Sequence, residues 1–450
     1  MVVVDSVVLN AKAYLNGQIV DCCIAIEEGI IDKIGKETQM PNADQKNDLH
    51  GHLLVLPGLI DTHVHLRDED KAYKEDFTSG TSAAAAGGFT TVLDMPNNVP
   101  ITMSAQTLRN RMETAQRRIV VNTGFYSEFP QTLPEIREIA NQGAVGFKLF
   151  MGEQMGGVNV DDNTAITEAL KTTAEVKLPV AIHAEDHTLL AANEAKLKQT
   201  KKTAPADYLR AHTKEVERMA VERIVKLSAK TGAQLHFCHI STKDSVATIV
   251  EAKKTQKNIT CEVTPNHLML SSDEVERHGS LAIIAPPLRD RLEVEALWQS
   301  VNEGLIDTFG SDHAPHTIEE KQANDIWEVK AGIPGLEVTL PLMLTMVRKG
   351  KLGLEQVVSH LAENPAQIYG LTDRGYLKAG QAADLTIVDY QSQFKIDASK
   401  FKSKAKFSPY NGWEVNGKPV KTIVGGQIVY EDNQIVAKGG TGKIVRGGPM

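Results

Sequence analysis

Short apolar runs rich in Val, Ile, Leu and Phe recur through the middle of the chain, and a polar cluster and then a stretch with helical periodicity follow each of them. Strands that alternate with helices in this way form parallel βαβ units, and eight parallel strands close a barrel. The pattern therefore predicts an α/β protein built on a (β/α)8 TIM barrel. The eight runs lie at residues 53–66, 88–96, 119–127, 144–150, 179–186, 234–241, 258–265 and 306–313.

The two ends of the chain differ from this middle. Residues 1–52 contain short strand-like runs separated by turn signals such as Asn16-Gly17, and similar material returns from residue 372 onward. Two β-rich ends that flank a barrel most simply pair with each other. We therefore expect residues 53–371 to form the barrel, and residues 1–52 and 372–450 to form a small β-sandwich domain, with a tail at the C-terminal end.

Composition narrows the class of protein. The chain has 450 residues, of which 42% are hydrophobic and 24% charged, as in globular enzymes. A net charge of −8 argues against nucleic acid or an anionic membrane as the main partner. No apolar run approaches the length of a membrane span, no basic leader precedes the first strand, and the four cysteines show neither disulfide nor zinc-finger spacing. These features predict a reduced, cytoplasmic protein that acts on a small molecule.

Two histidines end the first predicted strand, in Asp61-Thr62-His63-Val64-His65. Residues i and i+2 of a strand point to the same face, so both imidazoles project together into the barrel mouth. Catalytic groups of such barrels come from the C-terminal ends of the strands, and neutral imidazole is a common metal ligand. A lone histidine there would more often be structural, but this pair is interpreted as a pair of metal ligands.

Lys148 lies inside the apolar run of the fourth predicted strand. Burial of an ammonium group is costly, so two structural alternatives are that this lysine reaches the barrel rim or pairs with a carboxylate. The functional alternative is that burial lowers its pKa, carbon dioxide adds to the neutral amine, and the resulting carbamate becomes an anionic oxygen ligand. The residue context alone leaves these alternatives open.

Three further polar residues end predicted strands: His183 the fifth, His239 the sixth and Asp312 the eighth. Each histidine alone fits a satisfied core position, but with the first pair they bring four imidazoles to three strand ends. A carboxylate beside a divalent ion can ligate it and also accept a proton from water, which identifies Asp312 as the candidate catalytic base. The structural alternative is that Asp312 caps the following loop.

Together these motifs resemble the cyclic amidohydrolases, the group of dihydroorotase, allantoinase and dihydropyrimidinase (hydantoinase). The resemblance covers nearly the whole chain, from Pro57-Gly-Leu-Ile-Asp-Thr-His63-Val-His65 to the segment that begins Tyr410-Asn-Gly-Trp. It implies two divalent metal ions, zinc being expected although cobalt and manganese suit similar ligands. It also implies a carbamate on Lys148 between them. One ion would bind His63, His65 and Asp312, and the other His183 and His239.

Three residues resemble dihydroorotases in particular: Arg67, Asn97 and His316. The resemblance implies that they bind the substrate carboxylate, and a planar guanidinium fits a carboxylate bidentately. It further implies reversible hydrolysis of dihydroorotate to N-carbamoyl-L-aspartate, a step of de novo pyrimidine biosynthesis, by a hydroxide that bridges the two ions. Alternatively, Arg67 pairs with Asp68 or Glu69, and Asn97 is a turn residue.

Two departures from the family pattern bear on the substrate. Asn266 stands where the family usually has a histidine, and Ala285 replaces an asparagine expected to contact the pyrimidine ring. The resemblance implies that backbone groups around Ala331 and Gly332 still bind the ring. Allantoinase or dihydropyrimidinase activity is therefore the alternative to dihydroorotase, and a non-catalytic scaffold homologue is a remote one. A homo-oligomer or contacts with other enzymes of the pathway are compatible with the sequence.

Overall fold

A computed structural model describes residues 3–448, so the outermost residues of both predicted terminal segments lie outside it. Along the described chain the strands are β1 (Val3–Leu15), β2 (Gln18–Glu27), β3 (Ile30–Gly35), β4 (Asn42–Asp48), β5 (Leu54–Pro57), β6 (Leu59–Val64), β7 (Phe89–Asp94), β8 (Asn122–Glu128), β9 (Gly146–Phe150), β10 (Val180–His183), β11 (Leu235–Phe237), β12 (Ile259–Val263), β13 (Thr308–Phe309), β14 (Leu385–Lys395), β15 (Glu414–Val424), β16 (Gln427–Glu431), β17 (Gln434–Ile435) and β18 (Ile444–Val445).

The helices occupy mainly the segments between barrel strands. They are α1 (Phe77–Ala86), α2 (Ala105–Gln116), α3 (Glu135–Gln142), α4 (Asn163–Val176), α5 (His187–Gln199), α6 (Pro205–Ala211), α7 (Lys214–Ser228), α8 (Lys243–Lys253), α9 (Pro265–Met269), α10 (Asp273–His278), α11 (Arg291–Asn302), α12 (Ile318–Lys321), α13 (Leu336–Arg348), α14 (Leu354–Val358) and α15 (Asn364–Ile368).

Strands β6 to β13 form the barrel, each parallel to the next in chain order. An isolated parallel bridge between Val64 and His313 joins the first strand to the segment after the last, and the backbone N–H of His65 donates to the carbonyl of His313 at 2.8 Å. Every residue of β6 and β7 is buried, as expected for strands covered on both faces. The predicted (β/α)8 barrel is confirmed.

The first predicted strand, residues 53–66, is divided at Gly58. Its first half, β5, pairs with β1 and β14 in the terminal sheet, and only its second half, β6, enters the barrel. A Cβ at Gly58 would lie 2.3 Å from the Thr90 hydroxyl oxygen, so the crossing point has room only for glycine. Both halves are fully buried and each begins with two apolar residues, and the sequence pattern therefore did not separate them.

The strands of the two chain ends pair with each other, as the sequence predicted, and form a sheet separate from the barrel, here called the β-domain. Strands β1–β5 and β14–β17 hydrogen-bond as one mixed sheet, in which β5 pairs in parallel with β1 and in antiparallel fashion with β14. The β-domain has its own apolar core, which includes Val8, Ile24, Val55 and Leu385. The C-terminal tail returns to the barrel, where β18 pairs with β8.

Helix α4 shows how the local sequence sets these elements. The side chain of Asp162 caps it by accepting from the backbone N–H groups of Thr164 and Ala165, and Lys177 ends it in the left-handed conformation. Its buried positions recur at helical spacing, and three of them, Ile166, Ala169 and Leu170, belong to the same apolar core as residues of the barrel strands. Across residues 3–448, none of the helices has both the length and the apolar run needed to cross a bilayer.

Candidate active site

A cleft of about 730 Å³ opens at the C-terminal end of the barrel strands. Its wall includes nine of the ten residues singled out in the sequence, while Lys148 lies fully buried outside the lining. Parallel strands all end at this rim of the barrel, which is why residues so far apart in the chain meet there. The nine are His63, His65, Arg67, Asn97, His183, His239, Asp312, His316 and Gly332.

His63, His65 and Asp312 form one donor cluster. The Nε2 atoms of His63 and His65 lie 3.4 and 3.3 Å from the same carboxylate oxygen, Oδ1 of Asp312. The candidate ligand atoms of the three residues all lie within 4.8 Å of one another, and all three side chains are buried. The cluster can therefore bind one cation through two imidazoles and a carboxylate.

The other ring nitrogens of this pair are fixed by oxygen acceptors. Nδ1 of His63 lies 2.9 Å from Glu262, and Nδ1 of His65 lies 2.7 Å from the side-chain oxygen of Asn97. An acceptor on the far nitrogen places the proton there and leaves Nε2 free to ligate, as is usual for metal-binding histidines. Asn97 therefore has a role beyond that of a turn residue, because its side chain holds the His65 ring in place.

A second histidine pair lies beside the first. Nδ1 of His183 is 3.1 Å from Nε2 of His239, and the ring centroids of His63 and His239 are 5.1 Å apart. Nε2 of His183 contacts Glu185 at 2.9 Å, and the other Glu185 oxygen contacts His212 at 2.7 Å. Burial raises the pKa of Glu185, but His212 and His183 outweigh it and bring the pKa well below its usual range.

Lys148 lies in β9 with its side chain fully buried. Its Nζ donates to the sulfur of Cys238 at 3.2 Å and lies over the Phe150 ring, 4.9 Å from the centroid. Within residues 3–448 the lysine makes no ion pair with a carboxylate and does not reach the surface. Both structural alternatives for Lys148 are therefore wrong, and a buried amine next to the two histidine pairs remains.

The pKa values of the three residues of the first cluster show which of them are in the ligating form at neutral pH. Burial raises the pKa of Asp312, but His63 and His65 outweigh this and leave the pKa below its ordinary value. Burial lowers the pKa of His65 to about 3. At neutral pH Asp312 and His65 are thus in their ligating forms. Burial lowers the pKa of His63, but Cys238, Glu262 and Asp312 outweigh it and raise the pKa to about 10, so this histidine must release a proton when a cation binds.

The donor set fits the metal centre that the cyclic amidohydrolases use. Imidazole and carboxylate are suitable ligands for divalent ions, and the His183 and His239 nitrogens face one another at the spacing of two ligands of one ion. Nδ1 of His239 is buried without a hydrogen-bond partner within the described chain. A positive φ at both His239 and Asp312 shows that the backbone is strained where these side chains are presented.

Arg67 also lines the cleft and is 5% exposed. Its guanidinium approaches Nε2 of His316 at 3.2 Å and the side-chain oxygen of Asn97 at 3.5 Å. Among residues 3–448 it has no ion-pair partner, because Asp68 pairs with Arg118 and Glu69 with Arg111. The alternative that Arg67 pairs with one of these acidic neighbours is therefore wrong.

The part of the cleft wall formed by Ala285, Ala331 and Gly332 differs from the expectation at one point. The backbone N–H of Gly332, expected to be available for the substrate ring, donates to the carbonyl of Ile283 at 2.9 Å. Ala285 lines the cleft, but its methyl group offers no hydrogen bond. Asn266 accepts from the Tyr410 hydroxyl at 3.0 Å and lies outside the lining, so that departure does not change the cleft wall.

Sequence reasoning missed the residues that hold these histidines in place, above all Glu262. This glutamate accepts from His63, from the Thr62 hydroxyl at 3.0 Å and from the backbone N–H of His239 at 3.1 Å. The signal was available, because Glu262 is a charged residue in the apolar run of β12, as Lys148 is in β9. Glu185 and His212 had no comparable signal.

Comparison with known proteins agrees with this geometry. Residues 54–429 match the model of the amidohydrolase family. A dihydroorotase of Methanosphaera stadtmanae is 35% identical over 435 residues, which cover 96% of this chain and 98% of that protein. An L-hydantoinase of Paenarthrobacter aurescens is 34% identical over 448 residues, 98% of each chain. The solved structure of L-hydantoinase (dihydropyrimidinase) from Arthrobacter aurescens has a TM-score of 0.94 at 33% identity, covering 98% of this chain and all of that one.

Proposed function

The chain belongs to the amidohydrolase family and is a cyclic-amide hydrolase of the dihydroorotase and hydantoinase group, and from that premise we propose that its substrate is dihydroorotate. The reaction is the reversible hydrolysis of dihydroorotate to N-carbamoyl-L-aspartate. Arg67 is the observation that carries this choice. A buried guanidinium without a carboxylate partner of its own, on the wall of the cleft, suits a substrate that brings a carboxylate.

Burial lowers the pKa of Arg67 to about 10, so the guanidinium stays charged at neutral pH. An unpaired buried charge is costly in the free protein, and a substrate carboxylate would remove that cost when it binds. Asn97 and His316 flank the guanidinium and would bind the same carboxylate from either side. Allantoin, hydantoin and dihydrouracil carry no carboxylate, and Arg67 would have no partner in their complexes.

The second candidate is hydantoinase, and two observations favour it. Ala285 removes a side chain that dihydroorotases are expected to use on the ring, and relatives with hydantoinase names match as much of this chain as those with dihydroorotase names. A non-catalytic scaffold is disfavoured, because a scaffold has no need for a charged and polar cluster buried at the end of the barrel.

In the proposed mechanism, the protein's own groups bind, orient and move one proton. Arg67, Asn97 and His316 fix the carboxylate side of the ring, which orients the ring carbonyl toward the histidine pairs. Asp312 accepts a proton from the attacking water and delivers it to the ring nitrogen as the C–N bond breaks. Divalent ions, when bound, would polarise the carbonyl and acidify the attacking water. The residues that would hold them are His63, His65, Asp312, His183, His239 and a carbamate on Lys148.

Turnover of a substrate panel tests the proposal. Protein loaded with zinc is assayed with dihydroorotate, hydantoin, dihydrouracil and allantoin, and also with N-carbamoyl-L-aspartate in the direction of ring closure. We expect the highest kcat/KM with the dihydroorotate and carbamoyl aspartate pair. A preference for an uncharged ring would reject dihydroorotase in favour of hydantoinase or allantoinase.

A further inference from the structure

Lys321, the last residue of α12, is a second fully buried lysine, and no step of the proposed mechanism uses it. Its Nζ donates to two backbone carbonyls, that of Ile283 at 2.8 Å and that of Lys330 at 3.1 Å. It makes no ion pair within residues 3–448, and burial alone lowers its pKa to about 7. Burial of a lysine amine is unfavourable, so Lys321 is expected to have a role that an apolar side chain could not fill.

The two carbonyls belong to the segments that form the ring-side wall of the cleft. We define this wall by three residues that line the cleft, Ala285, Ala331 and Gly332. Ile283 lies two residues before Ala285, and Lys330 directly precedes Ala331. Two remote stretches of chain are therefore joined through one amine.

Other hydrogen bonds converge on the same two segments. The Ile283 carbonyl also accepts from the N–H of Gly332 at 2.9 Å, and the N–H of Lys330 donates to the carbonyl of Glu320 in α12 at 3.1 Å. Without the Lys321 amine, the Lys330 carbonyl would lose this hydrogen bond, and the Ile283 carbonyl would keep the one from Gly332. Ile283 is buried and Lys330 is exposed, so the Lys330 segment could turn its carbonyl toward water and would no longer be held against the Ile283 segment.

A third segment carries the carboxylate side of the cleft. His316 directly precedes Thr317, the residue that caps α12, and its Nε2 lies 3.1 Å from the carbonyl of Ala331. Gly332 has a φ of +140°, and a Cβ there would lie 2.5 Å from the carbonyl oxygen of Ala314. The packing leaves little room, so a small shift of the ring-side wall would change its distance from His316 and Arg67.

We propose that Lys321 is a positioning residue that joins the Ile283 and Lys330 segments and thereby fixes the ring-side wall at the spacing that a cyclic amide requires. The proposal rests on this cleft being the substrate site, but not on which cyclic amide is the substrate. Lys321 itself lies outside the lining of the cleft and contacts it only through the segments it joins, so its effect is on substrate binding and not on bond cleavage. It acts through Ala331, Gly332 and Ala285.

The test compares Lys321→Met with the same substitution of a lysine at the other end of the barrel. Methionine keeps the length and apolar stem of the side chain and removes both hydrogen bonds. Lys253→Met is the control, because Lys253 also donates to a backbone carbonyl, that of Leu305, and to Asp307 immediately before β13. Each variant is measured for kcat and KM on the cyclic amide with the highest wild-type turnover, for metal content, and for amide hydrogen exchange across residues 326–335.

We expect Lys321→Met to raise KM about tenfold or more, because one misplaced or lost hydrogen bond in a binding wall has an effect of that order. The value of kcat should change less than about threefold and metal content should stay at the wild-type level, because no ligand is altered. Exchange across residues 326–335 should accelerate. Lys321→Arg, which keeps the donors, should recover part of the KM, and Lys253→Met should leave KM at the wild-type value.

An unchanged KM in Lys321→Met would overturn the proposal, and so would a joint loss of kcat and metal at constant KM, which would assign Lys321 to the metal centre. If Lys321→Met does not fold, Lys321→Gln takes its place under the same criteria, because its shorter amide cannot reach both carbonyls. Absence of dihydroorotate turnover in the wild type would reject the proposed substrate only, since the KM comparison then uses hydantoin or another ring that the enzyme hydrolyses.

Discussion

Replacement of Arg67 by methionine separates dihydroorotase from its sister activities most directly. Methionine keeps most of the volume and the apolar stem but removes the charge and every donor of the guanidinium. Arg67 belongs to neither histidine pair, and Asn97 would still accept from His65 at 2.7 Å. The metal centre should therefore survive the substitution, and the loss should fall on the carboxylate side of the substrate.

The structure sets the size of the expected effect. The guanidinium has no competing carboxylate in the described chain, so its full interaction with a substrate carboxylate is lost in the variant. Hydrogen bonds to charged groups contribute about 1.5–3 kcal/mol. Because about 1.4 kcal/mol corresponds to a factor of ten, kcat/KM for dihydroorotate should fall by about one to two orders of magnitude.

The assay measures kcat/KM of both proteins with dihydroorotate and with any uncharged cyclic amide that the wild type accepts, together with metal content. Arg118→Met is a matched control, because it also removes a positive charge but one outside the lining of the cleft. Arg118 pairs at 2.8 Å with Asp68, the residue that follows Arg67. The control variant should leave kcat/KM for dihydroorotate within about twofold of the wild type, as expected for a partly exposed ion pair.

Two results would refute the reasoning. An equal loss on charged and uncharged rings would show that Arg67 supports the fold or the metal centre. No loss on dihydroorotate would remove the main reason for preferring that substrate, and with Ala285 in the ring-side wall the assignment would move to hydantoinase.

Two further predictions concern the buried lysines. Lys148→Ala should lose the metal pair, measured by elemental analysis, and nearly all activity. Short carboxylic acids should restore part of both by replacing the carbamate. Full activity in the variant would exclude the carbamate. Lys321 has a pKa of about 7 in the folded protein, against about 10.4 in an unfolded chain, so between these values only the unfolded state binds the proton. Its contribution to stability should therefore rise with pH over this window, by up to about 1.4 kcal/mol per unit. The difference in urea midpoint between wild type and Lys321→Met should shift in favour of the wild type from pH 7 to pH 9, and a constant difference would contradict a neutral buried amine.

The sequence anticipated which polar side chains meet at this end of the barrel because each lies in or directly after an apolar strand run. His63 and His65 share a strand face, and Lys148 is an obvious polar exception in β9. Glu262 carries the same signal in β12, yet only the structure showed that its carboxylate contacts His63 and the backbone of His239. Likewise, adjacent acidic residues left the partner of Arg67 open until the geometry assigned them to Arg111 and Arg118.

The sequence by itself determined the alternation of strands and helices, the eight-stranded barrel and the identity of the residues at its rim, because these follow from local periodicity and from the rule that parallel strands end on one side. The division of residues 53–66 between two sheets, the support of the histidines by Glu262 and Asn97, and the joining of Ile283 to Lys330 by Lys321 were decided only in the tertiary structure. The physical reason is that each depends on a contact between residues far apart in the chain. Local pattern specifies which side chains are buried and on which face, but not which distant donor or acceptor satisfies them.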